Sequence, residues 1–191
     1  MTENEFVKKF AELAPSIKKM ISWGYSVKRA NRRNKRYFLE RKTPKNAVYD
    51  NPLVRLICNY DTSHFEVGMV TLGKKESDFL PETGKIHVGN VEADILVINP
   101  DSGNVELLDH GQPSYVMAIC AKSGSQFLDA LMLLAEYEVQ NANYSIAITK
   151  EQEIAKNEEV RKQAAKCAKA AGIMTPPNIY EMLLGYECST T

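Results

Sequence analysis

Two apolar segments joined by a short turn constrain the fold more than any other feature of this 191-residue sequence. Four consecutive apolar residues at 95–98 are typical of a strand that is covered on both faces. A Pro-Asp-Ser-Gly turn follows, in which the Asp101 side chain is expected to hydrogen-bond the backbone two residues on. Residues 104–108 then return as a partner strand. The sequence therefore predicts an antiparallel hairpin at 93–108.

Helical and strand-like patterns occupy different parts of the chain. Strands are also predicted at 65–72 and 85–91, and a last strand or extended lead-in at 113–121. Apolar residues near the N-terminus recur at helical spacing around Pro15, which predicts a kink or two short helices. Asn51 and Pro52 are expected to start a turn or helix. Further helices are expected after Ser123 or Ser125, from 150 to a stop at Gly172, and after 177. Strands clustered between helices indicate an α+β fold class.

A formal net charge of zero conceals two opposed blocks. Residues 1–49 contain 13 basic and 4 acidic side chains, whereas residues 50–109 contain 4 basic and 11 acidic ones. The charge distribution excludes a uniformly basic binder of nucleic acid. An acidic, strand-rich middle would instead steer a basic partner towards it.

Residues 28–42 contain eight basic side chains and one acidic one, in a pattern compatible with either helix or loop. Four arginines with neighbouring aromatic residues suit phosphate contact and base stacking. They are Arg29, Arg32, Arg33 and Arg36. The alternative function is therefore a nucleic-acid-associated regulator. Because no recognisable nucleic-acid-binding module accompanies this run, we favour pairing of the run with the acidic block of the chain.

The sequence contains none of the usual catalytic or metal-binding motifs. It lacks a glycine-rich phosphate loop, HExxH and GxSxG, and its four cysteines include no CxxC pair. The one candidate for a catalytic nucleophile with a neighbouring base is the pair of Cys120 and His110, which folding would have to bring together. We therefore expect no enzyme activity, no metal and no cofactor. The acidic N-terminus and the absence of a long apolar stretch predict a cytoplasmic protein without a membrane segment.

The stretch IHVGNVEADILVINPDSGNVELLDHGQP, followed by SGSQFLDALMLL, resembles the signature of the SUKH superfamily. That pattern begins with a strand that ends in Gly, followed by an apolar strand that starts with Asp. An acidic turn containing Gly leads to a returning strand that ends in an acidic residue or His. A helix that starts at a Ser completes the pattern. The matching positions are Gly89, Asp94, Asp101, Ser102, Gly103, Val105, Asp109, His110, Ser123, Phe127 and Leu128. The resemblance covers residues 52–135.

The resemblance implies a central, mostly antiparallel sheet flanked by helices and a non-enzymatic role as a bacterial immunity protein. Such proteins bind a cognate toxin, often a nuclease or deaminase. The chain would comprise a basic helical segment at 1–49, the SUKH-like core at 50–140 and a helical extension at 141–191, within a single domain. With the acidic block, the resemblance selects seven partner contacts: Glu92, Asp94, Asp101, Glu106, Asp109, His110 and Tyr115.

Overall fold

An antiparallel sheet is formed by the middle of the chain in the computed structural model. The structure describes residues 1–43, 50–73, 79–80, 84–142, 150–173 and 179–184. The strands are β1 (Glu66–Val67), β2 (Val70–Leu72), β3 (Phe79–Leu80), β4 (Lys85–Val91), β5 (Asp94–Ile98), β6 (Val105–Leu108) and β7 (Val116–Ala121). Their order is β1-β2-β4-β5-β6-β7, and β3 pairs with β4 beside this path. All pairings between the described strands are antiparallel, which confirms the predicted sheet and the α+β class.

The hairpin of β5 and β6 has the predicted form, with Ile98 opposite Val105 at its closed end. The turn chemistry differs in one respect from the prediction. The side-chain oxygen of Asn99, not that of Asp101, accepts a backbone N–H two residues on, at 3.0 Å. Asn99 follows the last paired residue directly, so its amide oxygen reaches the N–H groups of the turn. Gly103 then takes a positive φ of 75°, a conformation that favours glycine.

The prediction of one strand at 65–72 is wrong. Gly68 has a φ of 57°, and the chain reverses at Gly68 and Met69, so β1 and β2 pair with each other as a hairpin. A turn of two residues keeps the alternation of apolar and small residues in phase. Two short strands joined by such a turn therefore have the same sequence pattern as one continuous strand. The turn is attached to the helical layer by Glu138, whose carboxylate accepts the Gly68 N–H at 2.7 Å. Burial raises the pKa of Glu138.

The described helices are α1 (Glu3–Glu12), α2 (Ile17–Ser22), α3 (Val27–Asn34), α4 (Pro52–Asn59), α5 (Gly124–Gln140), α6 (Lys150–Ala170) and α7 (Ile179–Leu183). Pro15 separates α1 from α2, as predicted. Asn51 caps α4, Ser123 caps α5, and Gly172 follows α6 with a φ of 73°. The basic run is helical up to Tyr37, where a 3-10 turn at Lys35–Tyr37 ends α3, and its remaining residues 38–42 are not helical. None of the described helices is long and apolar enough to cross a membrane.

The core lies between the sheet and a layer in which α5 is the central helix. This helix packs against α1, α4 and α6 and contacts β1 and β7. Phe6 and Phe10 of α1 stack with ring centroids 5.5 Å apart, and both are buried together with Leu131 of α5. Burying one such side chain stabilises the fold by about 1.5 to 3 kcal/mol. Helix α5 therefore packs beneath both β7 and the β1–β2 hairpin.

Candidate protein-binding site

One end of the sheet is formed by the β4–β5 turn and the connection from β6 to β7. Because Ile95 of β5 is paired with Leu108 of β6, the residues just beyond this pair come together. The backbone N–H of Asp109 donates to the carbonyl of Tyr115 at 3.2 Å, which joins the start of β7 to the same end. Five predicted contact residues belong to this end of the sheet: Glu92, Asp94, Asp109, His110 and Tyr115. We call Glu92, Asp94 and Asp109 the acidic end.

His110 and Asp94 form a surface pair. The Nδ1 atom of His110 lies 2.9 Å from the Oδ1 atom of Asp94, and the His110 backbone N–H donates to the same oxygen at 3.2 Å. The side-chain hydrogen bond lowers the pKa of Asp94 and raises the pKa of His110. As the pH falls through the raised pKa of His110, the acidic end loses part of its net negative charge.

Backbone conformation determines where the other two carboxylates lie. Asp109 accepts the N–H groups of Gly111 at 2.7 Å and Gln112 at 2.9 Å, so the loop itself orients its side chain. Glu92 has a φ of 53° and is the one non-glycine residue with positive φ in the described part of the chain. This conformation costs a non-glycine residue roughly 1 kcal/mol, and such strain is concentrated at functional positions.

Two of the seven predicted contacts lie elsewhere. Asp101 lies in the β5–β6 turn, at the opposite end of these strands from the acidic end. Glu106 is only 6% exposed, and its carboxylate lies 2.5 Å from the Lys85 ammonium and 3.1 Å from the Asn99 amide nitrogen. The expectation that Glu106 presents its charge at the surface is wrong. All four residues of β6 are buried, so its side chains do not alternate between core and solvent.

An apolar strip runs from Tyr115 along β7, and sequence reasoning found only its first residue, Tyr115. Tyr115, Val116, Met117 and Ile119 are 58%, 37%, 45% and 39% exposed. We call these four residues the β7 strip. Within the described sheet, β7 is an edge strand that pairs with β6 alone. The run of apolar letters at 115–119 was the available signal, but it is equally typical of a buried strand.

The β7 strip adjoins the acidic end, and the part of the chain that forms both contains no lysine or arginine. Between Lys85 and Lys122 the sequence contains no lysine or arginine, although it contains five carboxylates. One of the five is the buried Glu106 and another is Asp101 at the opposite end, so the three carboxylates of the acidic end remain on this surface. This part of the sheet therefore carries a negative potential that its own strands do not neutralise.

Three arginines of the basic run make side-chain contacts within the protein. The guanidinium groups of Arg29 and Arg33 lie 5.0 and 5.2 Å from the centre of the Tyr25 ring. Arg36 donates a hydrogen bond to the Glu66 carboxylate at 2.8 Å, and a second nitrogen–oxygen contact of this ion pair is 2.7 Å long. The Arg36–Glu66 pair is an instance of the predicted pairing between the basic run and the acidic block. These contacts do not favour a continuous phosphate-binding face along α3.

The described thiols are not placed as nucleophiles. Burial raises the pKa values of Cys120 and Cys167 to about 12, which keeps both thiols protonated at neutral pH. Cys58 is partly buried, and Cys188 lies outside the described residues. Among the residues that the structure describes, no three His, Cys, Asp or Glu side chains are grouped so that they could hold a metal ion.

Comparisons with known proteins found no relative. No protein-family model matches the sequence, and searches of the curated proteins and of the solved structures found no match either.

Proposed function

We propose that this chain is a non-enzymatic protein-binding module and acts as a cytoplasmic, SUKH-like immunity protein. It binds a basic toxin domain, of nuclease or deaminase type, and covers its active surface. The observation that carries the proposal is the exposed β7 strip beside the acidic end. The resemblance at 52–135 supports the immunity role.

The two parts of this surface have different physical tasks. Exposed apolar side chains that cluster on one strand supply affinity once a partner excludes water from them. Carboxylates at the rim accelerate association with a basic partner and make the rate depend on salt. Nuclease domains carry cations because they bind phosphates, so an acidic counter-surface matches their chemistry.

Neutralising the acidic end is expected to slow association with the proposed partner, a basic toxin domain to be sought in the genes next to this one. The double variant Glu92→Asn/Asp109→Asn removes two charges, while asparagine tolerates the positive φ at 92 and retains the turn acceptor at 109. We expect the association rate at low salt to fall about ten-fold and its salt dependence to weaken. Surface plasmon resonance at several salt concentrations measures both quantities.

Asp101→Asn is the control for this experiment, because Asp101 lies at the opposite end of the β5–β6 hairpin. It is expected to leave the association rate unchanged. Equal effects of Asp101→Asn and the double variant would contradict the assignment to the acidic end. A neighbouring toxin domain that does not bind the chain would contradict the proposed function itself.

Removing one apolar side chain from the β7 strip is expected to accelerate dissociation. Full burial of an isoleucine is worth about 1.5 to 3 kcal/mol, and Ile119 is 39% exposed before binding, so Ile119→Ser should raise the dissociation rate about three- to eight-fold. Ile154→Ser is the matched control, since Ile154 is exposed on α6. If both variants dissociate at the wild-type rate, the β7 strip is not in the interface.

A further inference from the structure

A second surface, distinct from the β7 strip, is a cleft of about 750 Å³ between the basic run and residues 57–73. We call it the basic cleft. Arg32, Arg36 and Lys42 border it, and so do Ser63 and His64. The backbone N–H of Lys42 donates to the carbonyl of residue 59 at 2.9 Å, which attaches the end of the basic run beside the 61–66 loop. The cleft is therefore built from two segments that are distant in sequence.

The cations of the basic cleft are not all neutralised. Arg36 is paired with Glu66 through a hydrogen-bonded ion pair. Asp61 is the second acid, and the Ser63 N–H that donates to it at 2.9 Å lowers its pKa. Lys42 lies close enough to contribute to this lowering. Arg32 has no hydrogen bond or ion pair with any described residue, so it leaves the cleft with one uncompensated positive charge.

The floor of the basic cleft includes three apolar side chains. Ile57, Phe65 and Leu72 border the cleft and are buried, whereas Ser63 and His64 are exposed. A volume of about 300 to 1,000 Å³ with apolar walls and a few polar groups is typical of small-molecule sites. The site thus combines three cations and two carboxylates at its edge with apolar side chains at its base.

We propose that the basic cleft binds a small phosphorylated molecule. Its phosphate would contact Arg32 and Lys42, and its uncharged part would lie over the apolar floor. Arginine suits this task because its planar guanidinium makes paired, charge-assisted hydrogen bonds to phosphate oxygens. A compact ligand fits better than a nucleic-acid strand, because Arg29 and Arg33 are stacked on Tyr25 and do not continue the row of cations.

Titration with inorganic phosphate, adenosine monophosphate and adenosine tests this proposal. Backbone amide signals of Ser63, His64 and Gly73, followed by NMR, report directly on the cleft. We expect saturable shifts with adenosine monophosphate, weaker binding of inorganic phosphate and the weakest binding of adenosine. Arg32→Gln should weaken binding of adenosine monophosphate about ten-fold, as expected for the loss of a charge-assisted contact.

Arg29→Gln is the matched control, because Arg29 belongs to the same helix but does not border the basic cleft. It should change the affinity less than about two-fold. The proposal is overturned if none of these amides shows a saturable shift up to about 10 mM ligand, the range of weak sites. Equal losses in both variants would also overturn it, because they would indicate diffuse charge attraction. Tighter binding of a single-stranded oligonucleotide that depends on Arg29 would assign the surface to nucleic acid instead.

Discussion

Replacing Gly89 with alanine is expected to lower the free energy of unfolding by about 3 kcal/mol, the upper part of the usual range for overpacking. Gly89 lies on β4 opposite Leu72 of β2, and an added Cβ would overlap the carbonyl oxygen of Thr71. The obstacle is backbone of a paired strand, so no change of rotamer removes it. Either β2 moves away from β4 or the β4 ladder is distorted. Urea denaturation followed by circular dichroism measures the loss.

Gly103→Ala separates this overlap from ordinary backbone strain. Gly103 has a φ of 75°, but a Cβ there meets no atom within 4 Å. We expect it to cost about 1 kcal/mol, from conformation alone. A Gly89→Ala variant as stable as Gly103→Ala would show that β2 and β4 are not as close as the structure places them.

Replacing Lys85 with methionine is expected to destabilise the fold by about 3 kcal/mol or more. The Lys85 ammonium lies 2.5 Å from the Glu106 carboxylate, and the two side chains are 15% and 7% exposed. Without Lys85, a buried carboxylate retains the Asn99 amide as its remaining described donor. Breaking a buried ion pair costs more than the pair contributes, because the surviving charge has lost both water and its partner.

The double variant Lys85→Met/Glu106→Leu completes the experiment. With both charges removed and similar volume retained, its unfolding free energy should return to within about 1 kcal/mol of the wild type. Chemical denaturation of the wild type, both single variants and the double variant gives the coupling energy. Additive effects would mean that Lys85 and Glu106 do not act as a pair. Glu106 is therefore unsuitable for testing partner binding, since its substitution perturbs the fold.

Local sequence chemistry predicted much of this structure. The β5–β6 hairpin follows from turn residues between two apolar segments, and Pro15 interrupts the N-terminal helices because it lacks the required N–H. The boundaries at Asn51, Ser123 and Gly172 are also decided within a few residues, by side-chain caps and by a positive φ.

The remaining features depend on contacts that are distant in sequence. From its neighbours in sequence alone, Glu106 is expected to be exposed because it is charged. Its burial is explained by its contacts with Lys85 and Asn99. The β7 strip is exposed because β7 lies at the edge of the described sheet, whereas the same letters in a central strand would be buried. At the candidate site, the sequence thus predicted the carboxylates of the acidic end but not the apolar surface beside them.

The pairing of β7 with β6 is irregular, and this has a consequence for solubility. The register shifts twice, so Met117 and Cys120 have no opposite residue on β6. Bulges of this kind interrupt the regular row of backbone groups that another strand would need for pairing. The β7 edges of two copies of the chain are therefore poorly suited to pair with each other. The β7 strip can thus be exposed to water without offering a regular edge for strand pairing between copies.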